Sequence, residues 1–290
     1  MVLNNIRLLC FTVILLSNGT FAHKADLVRY VASKKHPDLK QSYFVDLLTL
    51  ALEASKSRYG DYKLQPIDIE MAQARTSRML QRNELIDLTW RMTSQLLEQK
   101  LQAIYFPILK GVMGYRIFII HKNQQHLFSK NISLIDLKKI ALGQGYNWPD
   151  TDILLANNFE VIEGNGDSLI KMLKKERFIY FPRALHEPWL EIADEKELTV
   201  EGHLMLQYPA PTFFFVNKKN TRLHQRLTFG LAQLLESGKF EHFFINHRIT
   251  SDILTKANVK NRTAFTLHNP LLSERAKELM KDKRLWIKLK

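Results

Sequence analysis

The sequence predicts an α/β fold with two lobes, each a mostly parallel sheet flanked by helices, and a cleft between the lobes. Two stretches alternate strand-like and helix-like segments in the order β-α-β-α-β, which favours a parallel sheet covered by helices. They span residues 26–92 and roughly 115–185. Segments with glycine and proline at 101–114 and 209–211 predict chain crossings on either side of the second stretch. The second lobe is therefore expected to be inserted in the first.

Hydrophobic periodicity defines the elements of the first stretch. Residues 26–31 alternate in the manner of a strand. A helix is predicted from the candidate N-cap Ser42 to Gly60, because its apolar residues recur at i, i+3 and i+4. The remaining elements are predicted as a strand, a helix and a strand at 62–69, 72–81 and 85–92.

The second stretch opens with the β-type run 115–120 and a short helix whose capping-box-like start is Ser133. Further along, a strand, a helix and a strand are predicted at 159–162, 168–175 and 178–181. Beyond the second crossing we expect a buried strand at 213–216, an apolar helix closed by Gly238, and a basic C-terminal helix at 273–290 with Trp286 as its anchor.

A glycine-rich segment lies in the middle of the second stretch. Residues 140–142 are strand-like, Gly143 and Gly145 predict a turn, and Pro149 suits the first turn of a helix because its missing N–H would be unpaired there. A strand, a turn and a helix start of this kind can form the lip of a ligand cleft. The spacing alone favours an ordinary βα turn.

The start of that helix predicts a lid and not an anion cradle. Asp150 and Asp152 lie in the first turn, where carboxylates themselves satisfy the positive end of the helix. We therefore expect the segment to contribute Tyr146, Asn147 and Trp148 as a lid on the second lobe, with packing between the lobes as the alternative role for the aromatic residues.

The first 22 residues have the pattern of a secretory signal peptide. Arg7 ends a short basic region, residues 8–16 are apolar, and Thr20 and Ala22 are small residues at the positions that a signal peptidase reads. The apolar part is too short to span a bilayer comfortably. We expect cleavage after Ala22, export, and a mature chain that does not span the membrane, with an uncleaved membrane tether as the alternative.

Composition excludes several kinds of site from the mature chain. The single cysteine, Cys10, lies in the predicted signal peptide, so disulfides, thiolate catalysis and cysteine-ligated metal are excluded. The ten histidines are scattered without H-E-x-x-H spacing, and no G-x-S-x-G nucleophile motif occurs. We therefore predict no catalytic residues, no metal and no cofactor.

The chain is basic, with a formal net charge of +13. Its basic residues are spread along the chain with acidic residues among them, whereas nucleic-acid binding favours a concentrated patch or stripe. Together with the export signal, this distribution predicts no nucleic-acid partner. An anionic ligand, or a weak association with anionic lipid or wall polymer, stays open.

Five candidate ligand-binding residues lie near strand ends or chain crossings. Trp90 and Arg91 end a first-lobe strand, where a parallel sheet presents its ligand site. Arg91 would bind an anion or form a surface salt bridge. Tyr105 lies beside the first crossing and would stack on a ligand or line the hinge. Arg183 and Glu187 follow a buried strand, and they would hold the ligand or form a structural pair.

The chain resembles the type II periplasmic solute-binding proteins of family 3, which serve amino-acid uptake transporters. The resemblance covers about residues 24–246. The residues that carry it are Tyr43-Phe-x-x-Leu-Leu-x-x-Ala-Leu52, Ile86-Asp-Leu88, Ser133-Leu-x-x-Leu137 followed by Ile140-Ala-Leu-Gly-Gln-Gly145, Leu169-Ile-x-Met-Leu173 and Leu227-x-x-Gly-Leu-x-x-Leu-Leu-x-x-Gly-x-Phe240. Phrases at 107–116, 147–152, 180–183 and 187–189 are similar to a subgroup without an assigned ligand.

The resemblance implies a two-lobed type II binding-protein fold, with lobe 1 at 23–114 and 210–290 and lobe 2 at 115–209. It implies a monomer in the Gram-negative periplasm that closes on a small solute by hinge motion. An inner-membrane transporter or a sensor would be its partner. Two alternatives stay open: a dehydratase-like enzyme on cyclic carboxylic acids, which would use Glu187 and Arg183, and an envelope scaffold that has lost its ligand.

Departures from the family pattern concern the ligand. Typical amino-acid binders clamp the ligand carboxylate with an arginine just before the first crossing, where Lys100 lies here, and Ser94 falls near a position where they use hydroxyls. A lysine offers a point charge in place of a bidentate fork. Where those binders place an aspartate for the ligand ammonium, this chain has Arg183. The resemblance with these departures implies a small carboxylate-bearing or anionic solute.

Overall fold

The structure is a computed structural model that describes residues 25–32 and 40–289. The predicted signal peptide, with Cys10, lies outside the described residues. The strands are β1 (Asp26–Val31), β2 (Tyr62–Ile67), β3 (Leu88–Met92), β4 (Gln102–Ile104), β5 (Tyr115–His121), β6 (Leu142–Gly145), β7 (Val161–Gly164), β8 (Tyr180–Ala184), β9 (Leu198–Val200), β10 (Leu204–Gln207), β11 (Thr212–Val216) and β12 (Thr263–Thr266).

The helices include most of the predicted ones, although the helix predicted up to Gly60 is divided in two and the helices at 95–100, 188–191, 239–246 and 253–256 were not predicted. The helices are α1 (Gln41–Ala54), α2 (Lys56–Tyr59), α3 (Gln73–Gln81), α4 (Gln95–Lys100), α5 (Leu134–Lys138), α6 (Pro149–Ala156), α7 (Leu169–Lys174), α8 (Pro188–Glu191), α9 (Thr221–Glu236), α10 (Lys239–Asn246), α11 (Ile253–Lys256) and α12 (Glu274–Glu278). The α/β fold class is confirmed. No helix in the described ranges is both long enough and apolar enough to cross a membrane.

The first lobe has two small sheets and a helical layer. Strands β1 and β2 pair in parallel, and β11 lies between β3 and β4, antiparallel to both. The apolar faces of α1 and α9 pack together in the main core, which contains Leu47, Leu48, Leu227 and Leu231. The helical spacing in the sequence therefore predicted the buried faces of both helices.

The second lobe has one larger sheet, in the order β12-β10-β5-β8-β6-β7, with β9 paired to β5. Strand β6 is parallel to β7 and β8, whereas β5 is antiparallel to β8 and β10. The second-lobe sheet is thus mostly parallel, as predicted, with β5 alone reversed, whereas the β3-β11-β4 sheet of the first lobe is antiparallel, which corrects the prediction. The reason is the double crossing: β4 and β5 lead into the second lobe and β10 and β11 lead back, so neighbouring strands of the two crossings run in opposite directions.

The C-terminal segment contributes to both lobes. The predicted boundaries assign residues 210–290 to lobe 1, but β12 pairs in parallel with β10 in the sheet of the second lobe. The predicted helix over 273–290 is broken, because α12 is short and two single 3-10 turns, at 279–281 and 283–285, follow it. Trp286 packs over Gly111 in the first crossing and donates its indole N–H to the carbonyl of Leu279.

The glycine-rich segment is a strand and not a turn, which corrects the prediction. Gly143 and Gly145 lie within β6, and α6 begins at Pro149 as predicted. A Cβ on Gly143 would lie 2.2 Å from the ring of Phe178, and one on Gly145 would lie 2.3 Å from the ring of Trp148. The glycines are needed because aromatic rings cover the strand, which only the tertiary structure reveals.

The two crossings touch each other at the base of the cleft. Tyr208, in the return crossing, donates its backbone N–H to the carbonyl of Gly114 at 2.9 Å. A Cβ on Gly114 would lie 1.8 Å from the backbone oxygen of Tyr208. A backbone oxygen cannot move aside as a flexible side chain can. The contact between Gly114 and Tyr208 therefore sets the separation of the crossings.

Replacing Gly114 by alanine should therefore strain both crossings. We expect Gly114→Ala to lower the free energy of unfolding by about 3 kcal/mol, the upper part of the range for overpacking, in urea denaturation followed by circular dichroism. Gly202→Ala is the matched control, because the nearest atom to its added Cβ is a flexible side-chain oxygen 3.9 Å away. Equal stability of the two variants would contradict the tight contact.

Candidate ligand-binding cleft

A cavity of about 280 Å³ is bordered by residues of both predicted lobes. Its volume is close to the lower end of the range for small-molecule sites, roughly 300–1,000 Å³. The residues from 23–114 and 210–290 are Lys40, Phe44, Gln73, Trp90, Arg91, Met92, Met113 and Thr212, and those from 115–209 are Arg116, Trp148, Pro149, Asp150, Arg183, His186 and Glu187. We call this space the cleft cavity.

The structure brings eight of the ten predicted site residues to this region. Five of them line the cleft cavity: Trp90, Arg91, Trp148, Arg183 and Glu187. Three more line an adjoining cavity of about 310 Å³ that shares Gln73, Arg91, Met92 and Pro149 with the first: Ser94, Lys100 and Asn147.

Two predicted residues, Tyr105 and Tyr146, line neither cavity. The ring of Tyr105 packs on Phe213, and its hydroxyl donates to Glu98 at 2.8 Å. Tyr146 is 58% exposed at the tip beyond β6. Tyr105 is held within the first lobe because Arg275, from α12, also covers its ring at 3.9 Å.

Local structure already occupies one polar group that lines the adjoining cavity. The Ser94 hydroxyl caps α4 by accepting the backbone N–H of Leu97. Such a hydroxyl satisfies a helix end that would otherwise lack a partner. Lys100 lies exposed in the last turn of the same helix. A charge that is surrounded by solvent holds a ligand more weakly than a buried one.

Arg91 differs from the other cationic residues of the cleft cavity. Its guanidinium donates only to two backbone carbonyls, those of Trp90 at 2.9 Å and Gln73 at 3.3 Å. Its Nε is buried without a hydrogen-bond partner, and Arg91 forms no ion pair within residues 25–32 and 40–289. Burial lowers its pKa to about 10, so it stays charged at neutral pH. The surface salt bridge that the sequence left open is not formed in this part of the chain.

The second lobe contains a buried ion-pair network that sequence analysis missed. Arg116, fully buried on β5, pairs with Asp150 of α6, and the hydroxyl of Tyr208 donates to the same carboxylate. Nη1 of Arg116 also lies 3.6 Å from Oε2 of Glu187. A charged residue inside the apolar strand at 115–120 was the available signal, because a buried charge requires a partner.

The network continues through Arg183 towards the first lobe. Arg183 binds Glu187 at 2.9 Å and Glu191 at 2.6 Å. Lys40, at the start of α1, reaches Glu191 at 2.9 Å and so connects the two lobes. Both alternatives for Arg183 and Glu187 are thus partly realised: they line the cavity, and they form a structural pair.

Both members of this pair remain ionised. Burial alone lowers the pKa of the Arg183 guanidinium, but Glu187 and Glu191 outweigh it and hold this pKa above its ordinary value. Burial alone raises the pKa of the Glu187 carboxyl, but Arg183 and Lys40 hold this pKa well below its ordinary range. A carboxylate that also accepts the backbone N–H of Ala184 at 2.8 Å has little freedom to move protons.

His186 lies beside this network as a neutral side chain. It is 7% exposed, and its Nδ1 has no hydrogen-bond partner within the described residues. Burial lowers its pKa from 6.5 to about 4. At neutral pH the imidazole therefore carries no charge and offers one donor and one acceptor nitrogen.

Trp148 covers the second-lobe side of the cavity. Its ring stacks on Phe181 with centroids 6.4 Å apart, and the guanidinium of Arg183 lies 5.1 Å from the same ring. Asn147 has a positive φ of 60°, which turns the chain between β6 and α6. The lid formed by residues 146–148 stays a prediction, with Trp148 as the member that contacts the cavity.

Comparisons with solved structures give the fold an independent basis. The probable amino-acid ABC transporter extracellular-binding protein of Bacillus subtilis superposes with a TM-score of 0.57 at 15% identity, covering 77% of this chain and 97% of the other. A periplasmic binding protein of Salmonella typhimurium, described as highly specific for arginine, gives 0.54 at 12%, covering 76% and 97%. This chain has the two-lobed binding-protein fold.

The likeness to the binding-protein fold extends to further solute-binding proteins. A putative ABC transporter binding component of Wolinella succinogenes, complexed with lysine, has a TM-score of 0.54 at 16% identity and covers 77% of this chain and 94% of its own. These neighbours are solute-binding proteins and not enzymes. No protein-family model matches the chain, and the search of curated proteins finds no match.

Metal binding receives no support from the side chains. Across the described ranges, no group of three or more histidine, cysteine, aspartate or glutamate residues is arranged to hold a metal ion. The carboxylates of the cleft cavity are paired with arginines instead.

Acidification should destabilise the protein through His186. Because its folded-state pKa of about 4 lies below its ordinary value of 6.5, the unfolded chain binds a proton that the folded chain excludes between these pH values. The free energy of unfolding should fall as the pH drops through this window, by about 2 kcal/mol at pH 5 relative to neutral pH. Urea denaturation at a series of pH values measures this slope.

The comparison variant for this prediction is His186→Gln, whose stability should depend less on pH between about 6.5 and 4. Glu187 adds a loss of its own at the low end of this window, because its lowered pKa returns to the ordinary 4.5 on unfolding, but the wild type and the variant share that loss. His126→Gln, at an exposed histidine, should keep the wild-type slope. Identical slopes for wild type and His186→Gln would show that the buried imidazole does not cause the effect.

Proposed function

We propose that the protein is a periplasmic solute-binding protein that captures a small carboxylate-bearing or anionic solute between its lobes and delivers it to a transporter or a sensor. The observation that carries this proposal is Arg91, a half-buried arginine in a cavity between lobes with no ion-pair partner within residues 25–32 and 40–289. The fold, shared with solute-binding proteins, supports the same class of function.

The charges of the cavity support an anionic ligand group. Arg116 and Arg183 are neutralised by Asp150, Glu187 and Glu191, so neither has a surplus charge for the ligand. Arg91 keeps its full charge, and its guanidinium matches the geometry of a carboxylate. A solute carboxylate would supply the missing partner and offset the cost of burying this cation.

The apolar part of the cavity fits the remainder of a small organic solute. The rings of Trp90 and Phe44 stack with centroids 5.1 Å apart, and Met92 and Met113 lie on the same cavity wall. A few polar groups among apolar walls are typical of small-molecule sites. Trp90 is thus proposed as a wall for the ligand, with its stack on Phe44 fixing the ring.

Hinge closure would complete the site. The lobes are joined by two adjacent crossings, and the lining residues come from both sides of them. Hinges of this kind absorb the backbone rotation of domain closure. The Lys40–Glu191 ion pair joins the two lobes and would stabilise the closed arrangement.

The enzyme alternative loses the pair of side chains on which it depends. Glu187 and Arg183, the residues that a dehydratase-like reaction would use, are paired with each other at 2.9 Å and both stay charged. The neighbours with this fold bind solutes. We therefore propose binding without turnover, and a monomer that works with an inner-membrane partner.

Removing the unpaired arginine should weaken solute binding. The mature chain would be screened by thermal shift against mono-, di- and tricarboxylates together with neutral and cationic amino acids. Because a hydrogen bond to a charged group contributes about 1.5–3 kcal/mol, Arg91→Gln should weaken binding of the best carboxylate by at least about tenfold in isothermal titration calorimetry.

The control for this experiment is Arg75→Gln, an exposed arginine on α3 that lines neither cavity. It should bind the solute as the wild type does. Stabilisation by neutral or cationic amino acids without any response to carboxylates would contradict the proposed ligand class. An Arg91→Gln variant with wild-type affinity would contradict the proposed anchor.

A further inference from the structure

Four side chains of the cleft cavity have buried polar atoms without a hydrogen-bond partner among the described residues. These atoms are Nε of Arg91, Nε and Nη1 of Arg116, Nδ1 of His186 and Oγ1 of Thr212. Arg116 is 0% exposed, Thr212 3% and His186 7%, so bulk solvent does not reach them freely. Within the described ranges only His121 and Gln124 contribute other such atoms. Buried polar groups are nearly always hydrogen-bonded, so their concentration around one cavity points to a ligand.

The four side chains approach the cavity from both lobes. Arg91 and Thr212 lie on the paired strands β3 and β11, where Thr212 faces Met92 in the register. Arg116 lies on β5, and His186 follows β8. A solute that meets all four would bridge the lobes, as closure requires.

Two larger grooves of the molecule differ from the cleft cavity in their buried polar atoms. One of about 630 Å³ lies between α10 and the C-terminal segment and contains Lys110 and Trp286, and one of about 640 Å³ lies beside α11. None of the buried polar atoms without partners belongs to the residues that line them. Among these cavities, the unmet hydrogen-bonding capacity is therefore found in the cleft and not in the largest space.

The unpartnered atoms are mainly donors. A guanidinium has only donor nitrogens, a threonine hydroxyl both donates and accepts, and a neutral imidazole offers one donor and one acceptor. Three of the five atoms belong to arginines. The matching ligand is rich in acceptor oxygens, which carboxylate, hydroxyl and oxo groups supply.

An ammonium group would find little to bind in the same cavity. The two carboxylates that line it already have arginine partners on their own lobe, Asp150 with Arg116 and Glu187 with Arg183. A ligand cation would have to share those carboxylates with fixed arginines and would be repelled by Arg91. Like charges held close in a partly buried site oppose each other strongly.

We infer that the solute is an organic acid without an α-ammonium group, that is, a 2-oxo or 2-hydroxy carboxylic acid. The inference rests on the proposed binding function. Arg91 and Arg116 donate to the carboxylate oxygens, and Thr212 and the neutral His186 hydrogen-bond the neighbouring oxo or hydroxyl oxygen. The amino-acid counterpart of the same acid is rejected, because its ammonium replaces that acceptor with a cation.

Matched pairs of probes test the inference directly. The mature chain is titrated in thermal shift and calorimetry with pyruvate, lactate and alanine, with 2-oxoglutarate, 2-hydroxyglutarate and glutamate, and with phenylpyruvate, phenyllactate and phenylalanine. Within at least one series the oxo or hydroxy acid should bind at least tenfold more tightly than its amino counterpart. Such a ratio is typical when a site loses or reverses one buried polar contact.

A threonine pair separates recognition from folding. Thr212→Val removes the unpartnered hydroxyl at almost constant shape, so the free protein should be as stable as the wild type or more so. Its affinity for the preferred oxo or hydroxy acid should fall about tenfold. Thr89→Val, at a buried threonine on β3 that does not line the cavity, should leave the affinity unchanged.

The outcomes separate the ligand class from the binding function. An amino acid that binds as tightly as its oxo acid overturns the inference, while the proposed function stands if Arg91→Gln abolishes that binding. If no oxo or hydroxy acid binds more tightly than its amino counterpart, the inference is also overturned. The proposed function then stands only if another solute binds through Arg91. Unchanged affinity in Thr212→Val overturns the role of the hydroxyl.

Discussion

The buried pairing of arginines and carboxylates in the second lobe is the constraint on which the cleft depends. Arg116 and Arg183 extend from β5 and β8 and meet carboxylates on α6 and around α8. An unpaired buried charge would destabilise the fold by several kcal/mol. Breaking one pair has this cost, because the remaining partner stays buried without its counter-charge. The sheet and both helices are therefore held in one arrangement, and Lys40 extends that arrangement to the first lobe.

This pairing also decides what the cavity offers a ligand. Because the arginine charges of the second lobe are balanced within that lobe, they hold the wall in place without attracting a solute strongly. In the proposed function, the net attraction would come from Arg91 across the cleft, and specificity would come from donor atoms that the network leaves unused. Arg116 would then serve both purposes, through different atoms of its guanidinium.

The sequence predicted much of the architecture and about a third of the cavity wall. Periodicity placed the helix faces of α1 and α9, and strand ends pointed to Trp90, Arg91, Arg183 and Glu187. It missed Arg116, whose partner Asp150 lies far away in the chain, and Thr212, which reaches the cavity only through the pairing of β11 with β3. It misjudged Gly143 and Gly145, because a glycine in a turn and a glycine beneath an aromatic ring have the same local pattern.

The sequence by itself determined the α/β class and the two crossings, because these follow from local periodicity and from glycine and proline. Only the tertiary structure decided the strand directions, the place of β12 in the second sheet, and which charges neutralise one another. Ion pairs join residues as distant as Lys40 and Glu191. Their formation depends on the distance between side chains in space, which a linear pattern of charges does not encode.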